Sequence, residues 1–131
     1  MGQVDWDQPE SRALGSPLVQ GDIIFDHKSL LLANATVLIR LEDTSLADAP
    51  AKLIAQQVVT HIPEEIVERG KLPFALWGDI PDERATYTIY VLIDTDGDGK
   101  VSRGDYITME SYPVLTFGHP NYVAVRVHRI P

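Results

Sequence analysis

Short stretches in which apolar and polar residues alternate recur along the chain, separated by turn-forming residues. They run from Leu18 to Phe25, Thr36 to Glu42, Lys52 to Thr60, Leu72 to Trp77, Thr86 to Asp94, Tyr106 to Tyr112 and Tyr122 to Ile130. In the second, Val37, Ile39 and Leu41 fall on one face, and Thr36, Leu38, Arg40 and Glu42 on the other. Tyr87, Ile89, Val91 and Ile93 make a second stripe, and Val123, Val125 and Val127 a third. A period of two in Val, Ile, Tyr and Thr is the mark of a half-buried strand. Seven such segments in about 115 residues, with no strong helical stretch between them, predict an all-β fold. The expected form is a single antiparallel β-sandwich of about seven strands, immunoglobulin-like. One helix of a turn or two is predicted from Pro63 to Gly70, with acids in its first turn and glycine at its end. Within Glu83-Arg84-Ala85-Thr86-Tyr87-Thr88-Ile89, the tyrosine resembles a tyrosine corner, whose hydroxyl ties a loop to the start of a late strand. The alternative is that Tyr87 is simply a core aromatic on an alternating strand.

Residues 1–16 are polar and without period, and read as a flexible lead-in; residues 17–131 read as one domain. A length of 131 residues suits one domain with a core that needs neither disulfide nor metal. A hydrophobic share of 44% is too apolar for a disordered chain. Nineteen acidic residues against eleven basic ones give a net charge of -8. Such a surface repels phosphate backbones and anionic lipid headgroups, so nucleic acid is not an expected partner. The chain contains no cysteine, which removes thiolate metal sites and cysteine nucleophiles. Nor does it contain an apolar run long enough to span a bilayer. No basic leader followed by an apolar stretch opens it, so either the protein stays inside the cell or a leader has been trimmed.

The acidic residues are densest in Asp94-Thr95-Asp96-Gly97-Asp98-Gly99-Lys100-Val101-Ser102-Arg103-Gly104-Asp105. This fits the EF-hand loop pattern of acids at positions 1, 3 and 5, glycine at 6, an aliphatic at 8 and an acid at 12. Ca²⁺ takes six to eight oxygens at about 2.3–2.6 Å, and a tight loop aims alternate side chains inward to supply them. The expected ligands are Asp94, Asp96, Asp98, the carbonyl of Lys100, Ser102 (directly or through water) and Asp105. Val101 is expected to point away and pack. Position 12 carries aspartate in place of the usual glutamate, and both flanks read as strands, TYTIYVLI before and YITMESY after. The helix pair of a calcium sensor is therefore not expected. The ion, Ca²⁺ ahead of Mg²⁺, would staple the hairpin between the fifth and sixth strands. The rival reading is an acidic hairpin loop whose Asp-Gly steps form turns and whose charges are solvated.

Elsewhere the chemistry is sparse. His27, His61, His119 and His128 stand singly, and no nucleophile elbow, P-loop or dinucleotide fingerprint occurs. No catalytic residue is predicted. Trp77 and Tyr90 fall on the faces opposite their strands' inner stripes, where they either pack beneath loops or offer an aromatic platform to sugar rings.

Two further stretches carry a family likeness. They are Ala33 to Gln57, ANATVLIRLEDTSLADAPAKLIAQQ, and Ser111 to Pro120, SYPVLTFGHP. Leu41-Glu42-Asp43-Thr44-Ser45 with Ala47-Asp48-Ala49-Pro50, and Tyr112-Pro113-Val114-Leu115-Thr116 with Gly118-His119-Pro120, resemble the YscW/YbaY-type lipoproteins. The founding members of that family are described as type III secretion lipoprotein chaperones, or pilotins. The likeness spans about residues 18 to 130, though the EF-hand-like loop is not part of the family pattern. It implies a non-enzymatic β-sandwich of the cell envelope, periplasmic or associated with the outer membrane. On physical grounds these motifs read as scaffold, with Asp43, Ser45 and Asp48 in a polar turn and Pro50 and Pro113 where no ladder donor is needed. The leading expectation is a binding or chaperone-like module that takes an envelope protein or peptide at an exposed sheet edge and holds a structural Ca²⁺. The alternative is a calcium-dependent carbohydrate-binding or adhesive module using aromatics such as Tyr106 or Trp77. A metal-centred hydrolase ranks below both, since an all-protein calcium cage leaves little room for a substrate water.

Overall fold

The alternating segments become strands, and the register between them curls one sheet nearly shut. The computed structural model describes residues 17–25, 34–46 and 48–131. The expected lead-in over residues 1–16, together with His27 and Ala47, lies outside them. In chain order the elements are β1 (Val19–Ile24), β2 (Thr36–Asp43), β3 (Lys52–Thr60), α1 (Glu64–Arg69), β4 (Lys71–Leu76), β5 (Tyr87–Asp94), β6 (Tyr106–Thr108), β7 (Pro113–Val114) and β8 (Tyr122–Arg129).

The all-β prediction holds, and so does the short helix. α1 carries Glu64 and Glu65 in its first turn and Arg69 in its last, and buries Val67. It stops at Gly70, whose φ of 69° is open to glycine and whose N–H returns to the carbonyls of Ile66 and Val67.

The immunoglobulin-like sandwich of seven antiparallel strands is corrected. The strands form one path, β3-β2-β5-β6-β8-β1-β4, with β7 attached to β5. β1 and β8 run parallel, Gln20 beside Tyr122 through Ile24 beside Arg126. Beyond that point β8 changes neighbours, and Tyr106 to Thr108 of β6 pair with Arg129 to Val127. This switch carries the sheet round a corner and brings its two ends, β3 and β4, back against each other. Alternation along a strand records which face is buried but not which strand lies alongside, so a barrel-like closure and a sandwich read alike. The sixth predicted segment also ends early. Pairing along β5 is interrupted between its β6 and β7 partners, and threonine hydroxyls help fill the gap: Val91 N–H donates to Thr108 Oγ1 at 3.3 Å and Tyr112 N–H to Thr88 Oγ1 at 2.9 Å.

Every predicted inner stripe faces the core. Val37, Ile39, Leu41, Tyr87, Ile89, Val91 and Ile93 are buried, as are Val125 and Val127, with Val123 half-buried beside them. Gly21, facing Val123 across the parallel pair, allows the two backbones to approach: a Cβ there would sit 1.8 Å from the Val123 carbonyl oxygen.

Tyr87 forms the loop tie expected of a tyrosine corner. Its buried ring carries a hydroxyl that donates to the Asp82 carbonyl at 2.8 Å and accepts the Asp82 N–H at 3.2 Å. Tyr87→Phe leaves both backbone groups without that partner, and a loss of about 1–2 kcal/mol is expected in urea unfolding, with the slope unchanged.

Candidate functional site: an acidic loop and an open seam

Asp94 closes β5 and Tyr106 opens β6, so the loop hangs between two paired strands: Leu92 faces Ile107, and Ile93 faces Tyr106. Both flanks are strands, as the sequence predicts, but the second is only three residues long. Carboxylate oxygens of Asp94, Asp96, Asp98 and Asp105 lie within 4.8 Å of one another. Asp94 and Asp105 are buried, while Asp96 and Asp98 are exposed.

Backbone donors hold the buried pair in place. Asp94 accepts the N–H of Gly97 at 3.0 Å and of Gly99 at 2.7 Å. Those two glycines have φ of 73° and 76°, which turns their N–H groups inward at no steric cost. Asp105 accepts four donors: the N–H and hydroxyl of Thr95, both at 2.9 Å, and the N–H and hydroxyl of Ser102 at 2.9 and 3.1 Å. The Ser102 hydroxyl also lies 3.1 Å from Asp96. Asp98 accepts the Lys100 N–H at 2.9 Å. The loop exit is laced to the chain's end, Gly104 N–H to the Ile130 carbonyl and Ile130 N–H to the Asp105 carbonyl, both at 2.8 Å.

Charge in so small a space divides the acids. Burial pushes the Asp94 carboxyl above the usual carboxylate range, and the neighbouring Asp96 and Asp105 push the same way against the Gly99 and Gly97 donors. Asp96 moves down, chiefly through its hydrogen bond with Asp94 and then through the Asp98 N–H. Carboxylates this close repel one another, and a divalent cation would relieve that repulsion.

Of the six predicted ligands, the structure gathers the four aspartates and lays Ser102 against two of them. Lys100 contributes its N–H to Asp98. Thr95, which sequence reasoning passed over, supplies two of the four donors to Asp105; its signal was a hydroxyl residue flanked by aspartates. Val101 is half-exposed instead of packed, a correction to the expectation for the eighth position.

The second feature is the seam between β3 and β4. Ala75 N–H points across it and meets a side chain, Gln57 Oε1, at 3.1 Å. N–H groups of alternate residues in a strand face the same way, so Pro73 places its missing donor toward the seam, as an edge strand tolerates. β3 carries a register shift opposite Leu41 and Glu42, and its outer face exposes Leu53 and Val58. Irregular, half-paired edges of this kind remain open to an added strand.

The remaining candidates do not converge. Trp77 is half-exposed after β4 and Tyr90 half-buried on β5, on strands that do not pair. Tyr106 is buried and cannot present its ring to a glycan, which corrects that suggestion. His128 on β8 meets Glu110 at 2.8 Å, and the Tyr112 hydroxyl donates to the same carboxylate at 3.0 Å. Of the polar turn expected after β2, Asp43 and Ser45 make side-chain bonds to backbone, and Ser45 spans further than expected. Asp43 accepts the Ser45 N–H, while Ser45 Oγ accepts the Thr86 N–H at 2.8 Å, joining the β2–β3 and β4–β5 connections.

The class is an all-β domain whose sheet is nearly closed, its two ends meeting at one seam. The YscW family profile, described as type III secretion system lipoprotein chaperone, matches residues 15–127. The chain belongs to this family. Among solved structures it is similar to an alternative pilotin from the type II secretion system of Vibrio cholerae, at 25% identity and a TM-score of 0.64. That match covers 86% of this chain and 96% of the other. No curated protein sequence matches the chain. Among the described residues, no helix is long and apolar enough to cross a membrane.

Proposed function

We propose that the chain is a pilotin-like, non-enzymatic chaperone of the cell envelope. It captures an extended segment of a secretion-system envelope protein at the β3/β4 seam and carries a structural Ca²⁺, or less favourably Mg²⁺, on Asp94, Asp96, Asp98, the Lys100 carbonyl, Ser102 and Asp105. The observation that carries the seam reading is the Ala75 N–H, a strand-edge donor satisfied by the side chain of Gln57. A side-chain amide is a replaceable partner, and an incoming strand offers a carbonyl in its place. Family membership and the likeness to a pilotin supply the class of partner. The metal reading rests on four carboxylates gathered in one loop, their oxygens within 4.8 Å of one another and two of the four residues buried. Bound there, Ca²⁺ neutralises the loop and ties β5 to β6, far from the seam in strand order.

Two substitutions test the capture in opposite directions. Gln57→Ala removes the internal competitor and is expected to increase recovery of the bound envelope protein, at a cost of about 1 kcal/mol in stability. Ala75→Pro removes the donor and is expected to abolish recovery while leaving the circular-dichroism spectrum unchanged. Equal recovery by both variants and the parent chain, from the same envelope fraction, would sink the proposal.

A further inference from the structure

The start of β5 lies between the end of β2 and β7, with Asp43, Tyr87 and Val114 in one row across the three strands. Beyond this row the chain leaves as loops bonded to one another. Thr44 N–H donates to the Thr86 carbonyl at 2.9 Å, Thr86 N–H to Ser45 Oγ at 2.8 Å, and the buried Thr116 hydroxyl to the Ala85 carbonyl at 2.7 Å. The residues that follow Ser45 and Thr116 are Leu46 and Phe117. At 69% and 67% exposed, they are the most exposed large apolar side chains among the described residues.

The loop that carries Phe117 is held in a conformation its residues disfavour. Leu115 has a φ of 75° and Phe117 a φ of 55°, both in the left-handed region that side chains resist. Thr116 N–H closes a tight turn on the Val114 carbonyl at 2.9 Å, Leu115 N–H reaches the Pro120 carbonyl at 3.0 Å, and His119 N–H returns to the Thr116 carbonyl at 3.0 Å. Strain of this kind persists where surrounding contacts over-determine it, and buried Thr116 is the anchor here. An aromatic ring is thus turned outward on a backbone already tied by hydrogen bonds, which lowers the ordering cost of binding.

The surrounding loops are acidic. Asp48, Asp79, Asp82 and Glu83 stand on them against Arg84, an excess of three negative charges. Apolar anchors on such ground complement a segment that alternates apolar residues with lysine or arginine, and repel anionic surfaces. We propose that Leu46 and Phe117 form a docking surface for an apolar, basic peptide segment of a protein partner. This surface is made of loops and does not depend on strand addition at the seam.

The test is a titration of the full ¹⁵N-labelled chain with a synthetic amphipathic peptide of leucine and lysine, followed by amide shifts. Shifts confined to residues 44–48, 82–86 and 115–119 are expected. Phe117→Ser should weaken binding about tenfold and Glu83→Lys several-fold, and a leucine–glutamate peptide should produce no shifts. If Phe117→Ser fails to fold, Glu83→Lys decides. The proposal is overturned by the absence of binding, by affinity unchanged in the variants, or by shifts centred on Gln57 and Ala75, a result that would leave the seam reading intact. It is equally overturned if phosphatidylethanolamine vesicles, and not the peptide, bind the chain through Phe117, which would make the surface a lipid contact.

Discussion

Gly21→Ala is expected to remove about 3 kcal/mol or more of stability and to lower the melting temperature by roughly 10 °C. The added methyl would stand 1.8 Å from the Val123 carbonyl oxygen and 3.1 Å from a ring carbon of Phe74. The ring can shift by a few tenths of an ångström. The carbonyl belongs to the partner strand's backbone and cannot, so β1 and β8 must part. They form the parallel pair through which the sheet turns its corner. Gly97→Ala is the fitting control, because a Cβ there meets nothing within 4 Å and its cost is confined to the left-handed φ of 73°. That cost is about 1–2 kcal/mol. A thermal melt of the two variants separates the effects, and a Gly21 variant no worse than the Gly97 variant would show that the corner yields more easily than its geometry implies.

The second large effect belongs to Asp105. Its fully buried carboxylate faces four donors, two from Thr95 and two from Ser102. In Asp105→Asn one oxygen becomes an NH₂ that faces a backbone N–H and a hydroxyl. The hydroxyl can turn to accept, but the part-buried N–H loses its acceptor and meets another donor. The expected loss is on the order of 3 kcal/mol. Neutralising one of four acids relieves some repulsion, but the donors, not the charges, decide the balance at this buried position. For the parent chain, Ca²⁺ at a hundredfold excess over its dissociation constant is expected to add about 2.7 kcal/mol and raise the midpoint by several degrees, with EDTA reversing it. In Asp105→Asn that rise should vanish. The pH dependence has a definite sign. Burial raises the Asp94 pKa, so the ion-free folded chain holds that proton more tightly than the unfolded chain. This contribution favours folding as pH falls through the folded pKa and opposes it above. Ca²⁺ displaces the proton, so the calcium-induced rise should shrink as the solution is acidified into the carboxylate range. A rise that is independent of pH, or equal with and without EDTA, would reduce the loop to a solvated hairpin.

The inner faces were legible residue by residue, because burial on one side of a strand leaves a period of two: Val37-Ile39-Leu41 and Tyr87-Ile89-Val91-Ile93 lie where the alternation places them. The Asp94–Asp105 loop was legible because acids at alternate positions with glycines between them form a local geometry that depends little on distant residues. Tyr87 was legible for the same reason, its hydroxyl reaching only five residues back. The parallel pairing of the first and last strands was not, since it is written in no local signal. Its one trace is Gly21, a glycine amid strand residues whose purpose shows only when Val123 lies against it. Gln57 was equally opaque: a polar residue on an inner face reads as a flaw until Ala75 of β4 appears opposite. The strain at Leu115 and Phe117 stayed hidden as well, because neither residue type announces a left-handed φ.

The seam is the feature on which the functional account stands, and photocrosslinking in living cells tests it most directly. A photoreactive residue at position 58, on the outer face of edge strand β3, is compared with one at position 124, on the exposed face of β8 away from the seam. The account predicts one discrete adduct from position 58, to a secretion-system envelope protein, and none from position 124. Adducts of equal yield from both positions, or none from position 58 in cells that make the secretion system, would contradict it.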